Sequence, residues 1–462
     1  MVVNRIEEME PEKEPAKLSD SQEQAVAEIH QHFEEKQCVL LHGITGSGKT
    51  EIYIRLIQEV LESGSQVLML LPEIALTTQI VSRLQQVFGS KMGVYHSKYS
   101  DNERVEVWNG VLSGRFSFVV GVRSSIFLPF DSLGLIIVDE EHESSFKQFD
   151  PAPRFQARDS AIMLAYFHQA KTLLGSATPS FESYFNALQE KYGYVQLHQR
   201  YGEAQLPQYH LANLSADRKK NLLKLDSTRL MREKIQDALS KNEQVLIFQN
   251  RRGYSPYIQC EDCGWTGQCV QCDVSLTYHQ FAEELRCHYC GYKEKVPSSC
   301  PACASTQLST MGMGTERIEE SLSMLFPEAR LGRMDLDTTR NKYGYQRLLE
   351  EFGAGQIDIL VGTQMITKGL DFGRVTVVGI WDGDRILNFP DFRAGERAYQ
   401  QITQVAGRAG RRATQGEVII QTRNPDNDIF EKVIKGDYYE FFRQEMMERK
   451  KFYYPPYVKL VK

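Results

Sequence analysis

The sequence contains no apolar run near the roughly 18 residues that a membrane span requires. Its first twenty residues, MVVNRIEEMEPEKEPAKLSD, hold no hydrophobic signal core. Both absences argue against an embedded or exported chain, so a cytoplasmic location and no membrane partner are expected. Net positive charge is lacking too: Lys and Arg total 54 against 60 Asp and Glu, a formal charge of -6. Phosphate binding needs Lys and Arg, but net charge averages over a whole surface and a groove needs only a local basic lining. The sign therefore does not exclude nucleic acid. Cysteine is scarce outside one stretch. Eight of the nine lie between Cys260 and Cys303 as Cys-x-x-Cys pairs, and Cys38 stands alone in the apolar run QCVLLHG. In a reducing compartment metal ligation outranks disulfides for the eight, and Cys38 reads as a small buried hydrophobe on a strand.

At 462 residues the chain is too long for one ordinary core, and about two to four domains are expected. Residues 1–17, rich in Glu, Pro and Lys, read as a linker or leader with nothing to build a core. From Leu18 onward, short β-branched and Leu-rich runs alternate with amphipathic segments of helical length, the pattern of a parallel sheet covered by helices. CVLLHG, QVLMLLPE, FSFVVGV, LGLIIVDE and KTLLGSAT predict one α/β lobe over residues 18–205. EQVLIFQN, ARLGRMDLD, IDILVGTQ, VTVVGIWDGD and EVIIQT predict a second over 206–255 and 309–422, interrupted by the cysteine-rich insertion at 256–308. Residues 423–462 open a C-terminal region with a helix candidate in DYYEFFRQEMMERKKFYYPPY, stopped by Pro455 and Pro456.

GITGSGKT fits G-x-x-x-x-G-K-[ST], between an apolar strand and the helix-like EIYIRLIQEVLES. Gly43, Gly46 and Gly48 let successive amides turn toward phosphate oxygens, and the following helix N-terminus adds positive potential. Lys49 is expected to reach the β and γ phosphates of ATP, and Thr50 to ligate Mg2+. LGLIIVDEEH ends a strand with carboxylates, where ligands sit in open α/β sheets. Asp139 is expected to hold Mg2+ through water, Glu140 to polarise the attacking water, and His142 to relay the state of the site to neighbouring loops. Gln22, in LSDSQ, is a candidate reader of adenine, with an ordinary helix-start residue as the alternative. GSAT, residues 175–178, closes another strand with hydroxyls, and an N-cap role stays open for it.

Phosphoryl transfer builds negative charge on the γ phosphate, so a cation brought to it accelerates the reaction. QVAGRAGR offers Arg408 and Arg411, three residues apart and on one face if helical; both are candidate arginine fingers. GVRSS, VGTQMITKGLDF and GTER follow strands in loops that carry hydroxyls, glycine amides and single basic residues, which suits phosphate contacts on single-stranded DNA. Arg123, Thr363 and Lys368 are the contacts expected there. ESSFKQFDPAPRF interleaves Phe146, Phe149 and Phe155 with Lys147 and Arg154, so aromatic faces and cations suit a strand whose occupancy is reported to Glu140; a loop tucked on the lobe by its phenylalanines is the alternative.

Four Cys-x-x-Cys knuckles, Cys260/Cys263, Cys269/Cys272, Cys287/Cys290 and Cys300/Cys303, supply thiolates for two closed tetrahedral Zn2+ sites. An insertion of about fifty residues is near the limit for burying its own core, so metal binding is expected to fold it. Closed sites leave no position for zinc chemistry. His288 reads as a bystander, and Trp265, Tyr278, Tyr289 and Tyr292 as the module's contact surface, with structural packing as the alternative. By sequence alone the knuckles pair sequentially, interleaved or nested.

GITGSGKT, LLPEIALTTQ, VDEEHESSFKQ, GSATPS, GTERIEE, GTQMITKGLDF, PDFRAGER and QVAGRAGR, with eight cysteines in lobe two, resemble the PriA family of superfamily 2 helicases, from Leu18 to the YPPY at 454–457. The resemblance implies two RecA-like lobes with a two-zinc insertion in the second, nucleotide roles for Gln22, Lys49, Thr50, Asp139, Glu140, Arg408 and Arg411, and DNA coupling by residues 143–155. It also implies nested zinc pairing, with residues 260, 263, 300 and 303 on the outer ion and 269, 272, 287 and 290 on the inner. The implied activity is ATP-dependent 3′ to 5′ unwinding of single-stranded and forked DNA in replication restart, with primosome and single-strand-binding proteins as partners. Val122 departs from the family's usual Thr, and the DNA-binding region and winged helix that family members carry before the P-loop lobe, and their further domain after YPPY, are not recognisable here. Two other readings are a primosome assembly platform that ATP merely switches, and a competence-type DNA-uptake motor, which the number and place of the cysteines disfavour.

Overall fold

A computed structural model describes residues 13–72, 79–96, 99–200, 206–250, 256–279, 282–311, 315–335, 344–367, 372–410 and 415–460. The chain divides into two compact units, Met1–Gly202 and Glu203–Lys462.

In the first unit, β1 (Cys38–Gly43), β2 (Gln66–Leu70), β3 (Met92–Tyr95), β4 (Phe118–Gly121), β5 (Leu133–Asp139), β6 (Lys171–Ser176) and β7 (Gly193–Leu197) form one sheet in the order β3-β4-β2-β5-β6-β1-β7. Every pairing is parallel. The inner strands are unbroken apolar runs because helices cover both faces: Val39, Leu40, Leu41, Ile136, Ile137 and Val138 have no exposed surface. Cys38 is buried on β1, as expected. The sheet contains two strands that the hydrophobic runs did not reveal, β3 and β7. Both are edges: β3 is four residues long with a glycine, and β7 buries alternate residues only, so neither needs a continuous apolar sequence.

The strand order does chemical work, since β5, β6 and β1 are neighbours with Asp139 level with Gly175 and His42 level with Ser176. The carboxyl ends of three adjacent strands thus present DEEH, GSAT and the glycine-rich loop side by side, where a ligand binds in an open α/β sheet.

The second unit holds a six-stranded sheet. Its members are β8 (Gln208–Asn213), β9 (Gln244–Phe248), β15 (Leu331–Met334), β16 (Ile359–Gly362), β17 (Val375–Ile380) and β18 (Glu417–Thr422), and the intervening labels β10 to β14 belong to the insertion. The order is β15-β16-β9-β17-β18-β8, again parallel throughout. β8 was also missed, another edge strand with a mostly half-exposed sequence. The insertion contains β10 (Tyr257–Cys260) paired antiparallel with β14 (Leu308–Met311), and an antiparallel sheet of β11 (Thr277–His279), β12 (Glu284–Arg286) and β13 (Lys293–Lys295).

The C-terminal region packs into this second unit. Helix Tyr438–Lys451 begins at Asp437, whose carboxylate accepts from the Glu440 N–H at 3.0 Å, and it ends before the two prolines. Tyr454 stacks on Phe392 with ring centroids 4.3 Å apart, and its hydroxyl donates to the Cys272 carbonyl at 2.8 Å. Arg449, 2% exposed, pairs with the buried Glu396 at the start of helix Ala394–Ala406. Removing one member of such a pair leaves a buried charge uncompensated. Arg449→Met should therefore destabilise the second unit by about 3–5 kcal/mol, and Arg449→Met combined with Glu396→Leu by less; calorimetric melting of the variants checks both.

Candidate nucleotide site and metal centre

The glycine-rich loop leaves β1 at Gly43 and enters helix Lys49–Glu62 directly at Lys49. Gly46 and Gly48 adopt φ of 82° and 79°, left-handed values that a side chain resists. These turns deliver the loop to the helix N-terminus, where unpaired N–H groups and the dipole favour an anion. Lys49 Nζ donates to the Gly43 carbonyl at 2.7 Å, so the ammonium lies across the loop. The buried Ser47 hydroxyl makes no hydrogen bond.

Gln22 takes the helix-start position that was its alternative reading. Its side chain is 1% exposed, its oxygen accepts from the Ser19 N–H at 2.9 Å, and its amide donates to the Ser47 and Gly48 carbonyls at 3.4 and 3.2 Å. With both ends engaged it braces the glycine-rich loop against the first helix.

The three carboxylates of DEEH point to three different tasks. Asp139 accepts from the Tyr53 hydroxyl at 2.9 Å, and burial together with Glu140 raises its pKa to about 6 against the opposing pull of Lys49. Glu140 has φ of 51°, a left-handed conformation unusual for a side-chain-bearing residue, and it stays partly accessible. Strain of that kind concentrates at functional sites. Glu141 has no exposed surface and turns inward: it accepts from the Ser180 N–H at 2.6 Å, the Ser180 and Ser183 hydroxyls at 2.9 and 2.8 Å, and Arg158 at 3.0 Å. His142 Nδ1 lies 2.8 Å from the Ser176 hydroxyl and 3.6 Å from Glu140. The imidazole therefore ties DEEH to GSAT.

Sequence reasoning missed Glu141, Tyr53 and His42. Glu141 and Tyr53 carry no motif signal of their own, because a third acidic residue and a helical tyrosine look like surface and core. His42 precedes GITGSGKT and bridges Tyr194 Oη at 2.9 Å and the Ala177 carbonyl at 3.2 Å. Burial, then the nearby Lys49, lowers its pKa to about 4.

In the insertion, the sulfurs of Cys260, Cys263, Cys300 and Cys303 lie within 4.8 Å of one another, and so do those of Cys269, Cys272, Cys287 and Cys290. These are the nested sets. A tetrahedral ion with Zn–S bonds near 2.3 Å separates its sulfurs by about 3.8 Å. The Cys260–Cys303, Cys263–Cys300 and Cys269–Cys290 pairs stand at 3.7, 3.6 and 3.6 Å, so the cages fit zinc. All four knuckles share one turn, in which the residue after the second cysteine is left-handed (Gly264, Asp273, Gly291 and Ala304) and donates its N–H to the carbonyl of the first. His288 belongs to neither set. Of the expected contact residues, Tyr278 and Tyr292 pack against the insertion's own core, Trp265 is half-buried, and Tyr289 meets Phe392 and Tyr454 edge-on.

Comparison with known proteins places these features. The DEAD/DEAH box helicase family model matches residues 19–186, the PriA DNA helicase Cys-rich region domain residues 269–295, and the helicase conserved C-terminal domain residues 311–413. The replication restart protein PriA of Rickettsia felis is 42% identical over 96% of this chain and 67% of its own. This chain belongs to the PriA family. The PriA of Bacillus subtilis is 45% identical over 96% of this chain and 55% of that protein, and the PriA of Chlamydia pneumoniae 43% over 97% and 60%. The chain thus spans little more than half the length of those two PriA relatives. Among solved structures, RecG bound to a three-way DNA junction aligns with a TM-score of 0.55 at 19% identity, covering 94% of this chain and 47% of RecG. Yeast Dbp5 bound to RNA and ADP BeF3 aligns at 0.54 and 14%, covering 94% of both. Both share the two-lobed helicase fold.

The remaining motif residues of this PriA chain divide by exposure. Phe149 is 68% exposed, Arg154 is exposed, and Phe155 packs edge-on against Phe127, itself 57% exposed, at 5.0 Å. Arg123 donates to the Ser145 carbonyl at 3.2 Å and Lys147 to the Arg154 carbonyl at 2.7 Å. Phe146 corrects the expectation of a stacking face: it is 1% exposed and belongs to the core that seats the loop. Thr363 is buried, as is Arg408, which follows helix Ala394–Ala406. Arg411 and Lys368 lie outside the described residues. No helix among the described residues is long and apolar enough to cross a membrane.

Two outcomes follow from the site. His42 is protonated near pH 6.5 when unfolded but only near pH 4 when folded. The folded state is therefore penalised as pH falls between these values, by on the order of 3 kcal/mol. Thermal melts at pH 7 and 4.5 should show a smaller acid loss for His42→Gln than for the unsubstituted chain. Elemental analysis of the purified protein should return two zinc ions per chain, and Cys269→Ser should remove one.

Proposed function

We propose that this chain is the motor core of a replication-restart DNA helicase, hydrolysing ATP to move 3′ to 5′ along single-stranded DNA and separate duplex at stalled or branched forks. The observation that carries this reading is the convergence of the glycine-rich loop, DEEH and GSAT at the ends of three adjacent strands, with His142 bridging the last two. The family supports the substrate: the Bacillus relative is named a replication restart protein.

In this reading the loop amides and Lys49 bind the β and γ phosphates. Thr50 and, through water, Asp139 hold Mg2+, an ion that takes oxygen ligands and neutralises charge between phosphate oxygens. Glu140 orients and polarises the attacking water. Arg408 and Arg411 supply positive charge as negative charge develops on the γ phosphate, a contribution of about 10³ to 10⁵ in rate where such fingers operate. Phe149, Phe155, Lys147 and Arg154 meet the strand, with Arg123, Thr363 and Lys368 on its phosphates. The loop that holds them starts directly after DEEH, so strand occupancy and Glu140 are covalently close. The insertion, folded by two Zn2+, serves as a rigid wedge at the junction or a dock for primosome and single-strand-binding proteins. Residence in the cytoplasm suits these partners.

Lys49→Ala should abolish DNA-stimulated ATP turnover while strand binding stays within about twofold, because phosphate positioning is lost and the DNA contacts are not. Measuring ATPase with and without single-stranded and forked DNA checks the assignment, and full turnover by the variant would refute it. A strand-displacement assay separates the motor from an ATP-switched assembly platform: steady unwinding by the chain alone supports the motor.

A further inference from the structure

Resting on the nucleotide site just proposed, we infer that Tyr53 is the positioning residue that orients Asp139 for Mg2+, and that Gly175 of GSAT is the vacancy that admits its hydroxyl. Tyr53 lies one helical turn beyond Lys49 and points the same way from the helix. It has no exposed surface. A tyrosine in such a place requires a partner for its hydroxyl, and Tyr53 donates to Asp139 Oδ1 at 2.9 Å.

The room for that hydroxyl comes from β6. A Cβ at position 175 would fall 1.8 Å from the Tyr53 oxygen, an impossible contact, so the bond to Asp139 exists only with glycine there. Gly175 is also level with Asp139 across the β5–β6 pairing, which brings the three residues into one layer. Lone carboxylates swing about their terminal bond. Here the Tyr53 hydroxyl engages Oδ1 and the Glu140 backbone N–H also bonds the carboxylate, so its direction is set with Tyr53 as the side-chain donor. Mg2+ demands near-octahedral geometry and releases water reluctantly, so its binding is sensitive to the direction of an acceptor that contacts it through water. Nucleotide held by the loop amides and Lys49 without metal does not use Asp139. The signature of Tyr53 is therefore selective for metal.

The test is the affinity of a fluorescent ADP analogue, measured in EDTA and in Mg2+, for the 462-residue chain, Tyr53→Phe and Gly175→Ala. Tyr53→Phe keeps the buried ring. Its metal-free affinity should stay within about twofold, while the gain from Mg2+ should shrink about tenfold, the loss expected for one hydrogen bond to a charged group. Gly175→Ala places a methyl where the hydroxyl sits and should give the same selective loss. A full Mg2+-dependent gain in either variant overturns the assignment, as does an equal loss with and without metal, which would make Tyr53 a packing residue of the loop. Failure of the unsubstituted chain to bind nucleotide overturns the site itself.

Discussion

The turn after β5 is the constraint on which the nucleotide site depends. Three consecutive carboxylates would repel if they faced one cavity, and the backbone prevents this by taking Glu140 through a left-handed conformation. Asp139 then meets the helix that begins at Lys49, Glu140 is left accessible, and Glu141 goes to the interior. The inward carboxylate holds the arrangement in place. Its four hydrogen bonds reach Arg158, Ser180 and Ser183, on the helix after the aromatic loop and at the start of the helix after GSATPS. Burial alone would oppose a charge on Arg158, but Glu141, Asp159 and Glu182 hold its pKa above the ordinary arginine value. A buried, fully bonded ion pair contributes little net stability, but breaking it is costly, which makes it a device for specifying one geometry.

Much of this was readable from sequence because the chemistry is local there. Glycines at positions 46 and 48, a lysine and threonine at a helix start, and acids at a strand end are determined by neighbours along the chain. The eight cysteines were equally legible as ligands. Their nesting came from the family resemblance and not from spacing, since all three pairings satisfy valence and the choice depends on how β10 to β14 fold back. The failures have one cause, that a residue's task was set by something distant in sequence. The contact of the Gln22 amide with the Ser47 and Gly48 carbonyls, 25 and 26 residues on, had no local signal. Phe146 looked like its neighbour Phe149, yet one is in the core and the other in solvent. Edge strands β3, β7 and β8 escaped because an edge needs apolar side chains on fewer positions than a central strand does.

The cysteine-rich segment is tied to its unit by aromatic rings as well as by its strands. Phe392 stacks with Tyr454 of the C-terminal segment and has the Arg393 guanidinium over its ring, 4.2 Å from the centroid, with Tyr289 of a cysteine knuckle edge-on. Flat contacts of this sort bury much area and lose few rotamers. PDFRAGER, a motif with no evident chemistry of its own, thereby acquires a physical explanation: Phe392 and Arg393 build the seat, and Glu396 receives Arg449.

The pairing of β10 with β14 bears on how such a segment enters a lobe at all. These two antiparallel strands bring the first and last turns of the insertion beside each other, with Tyr257 opposite Met311. The host sheet consequently meets some fifty extra residues as a loop whose ends already touch, and the entropic cost of closing it is carried by the hairpin rather than by β9 and β15. Evolution, or an engineer, can lengthen, trim or exchange everything beyond that stem while leaving the parallel sheet with the same connection to span.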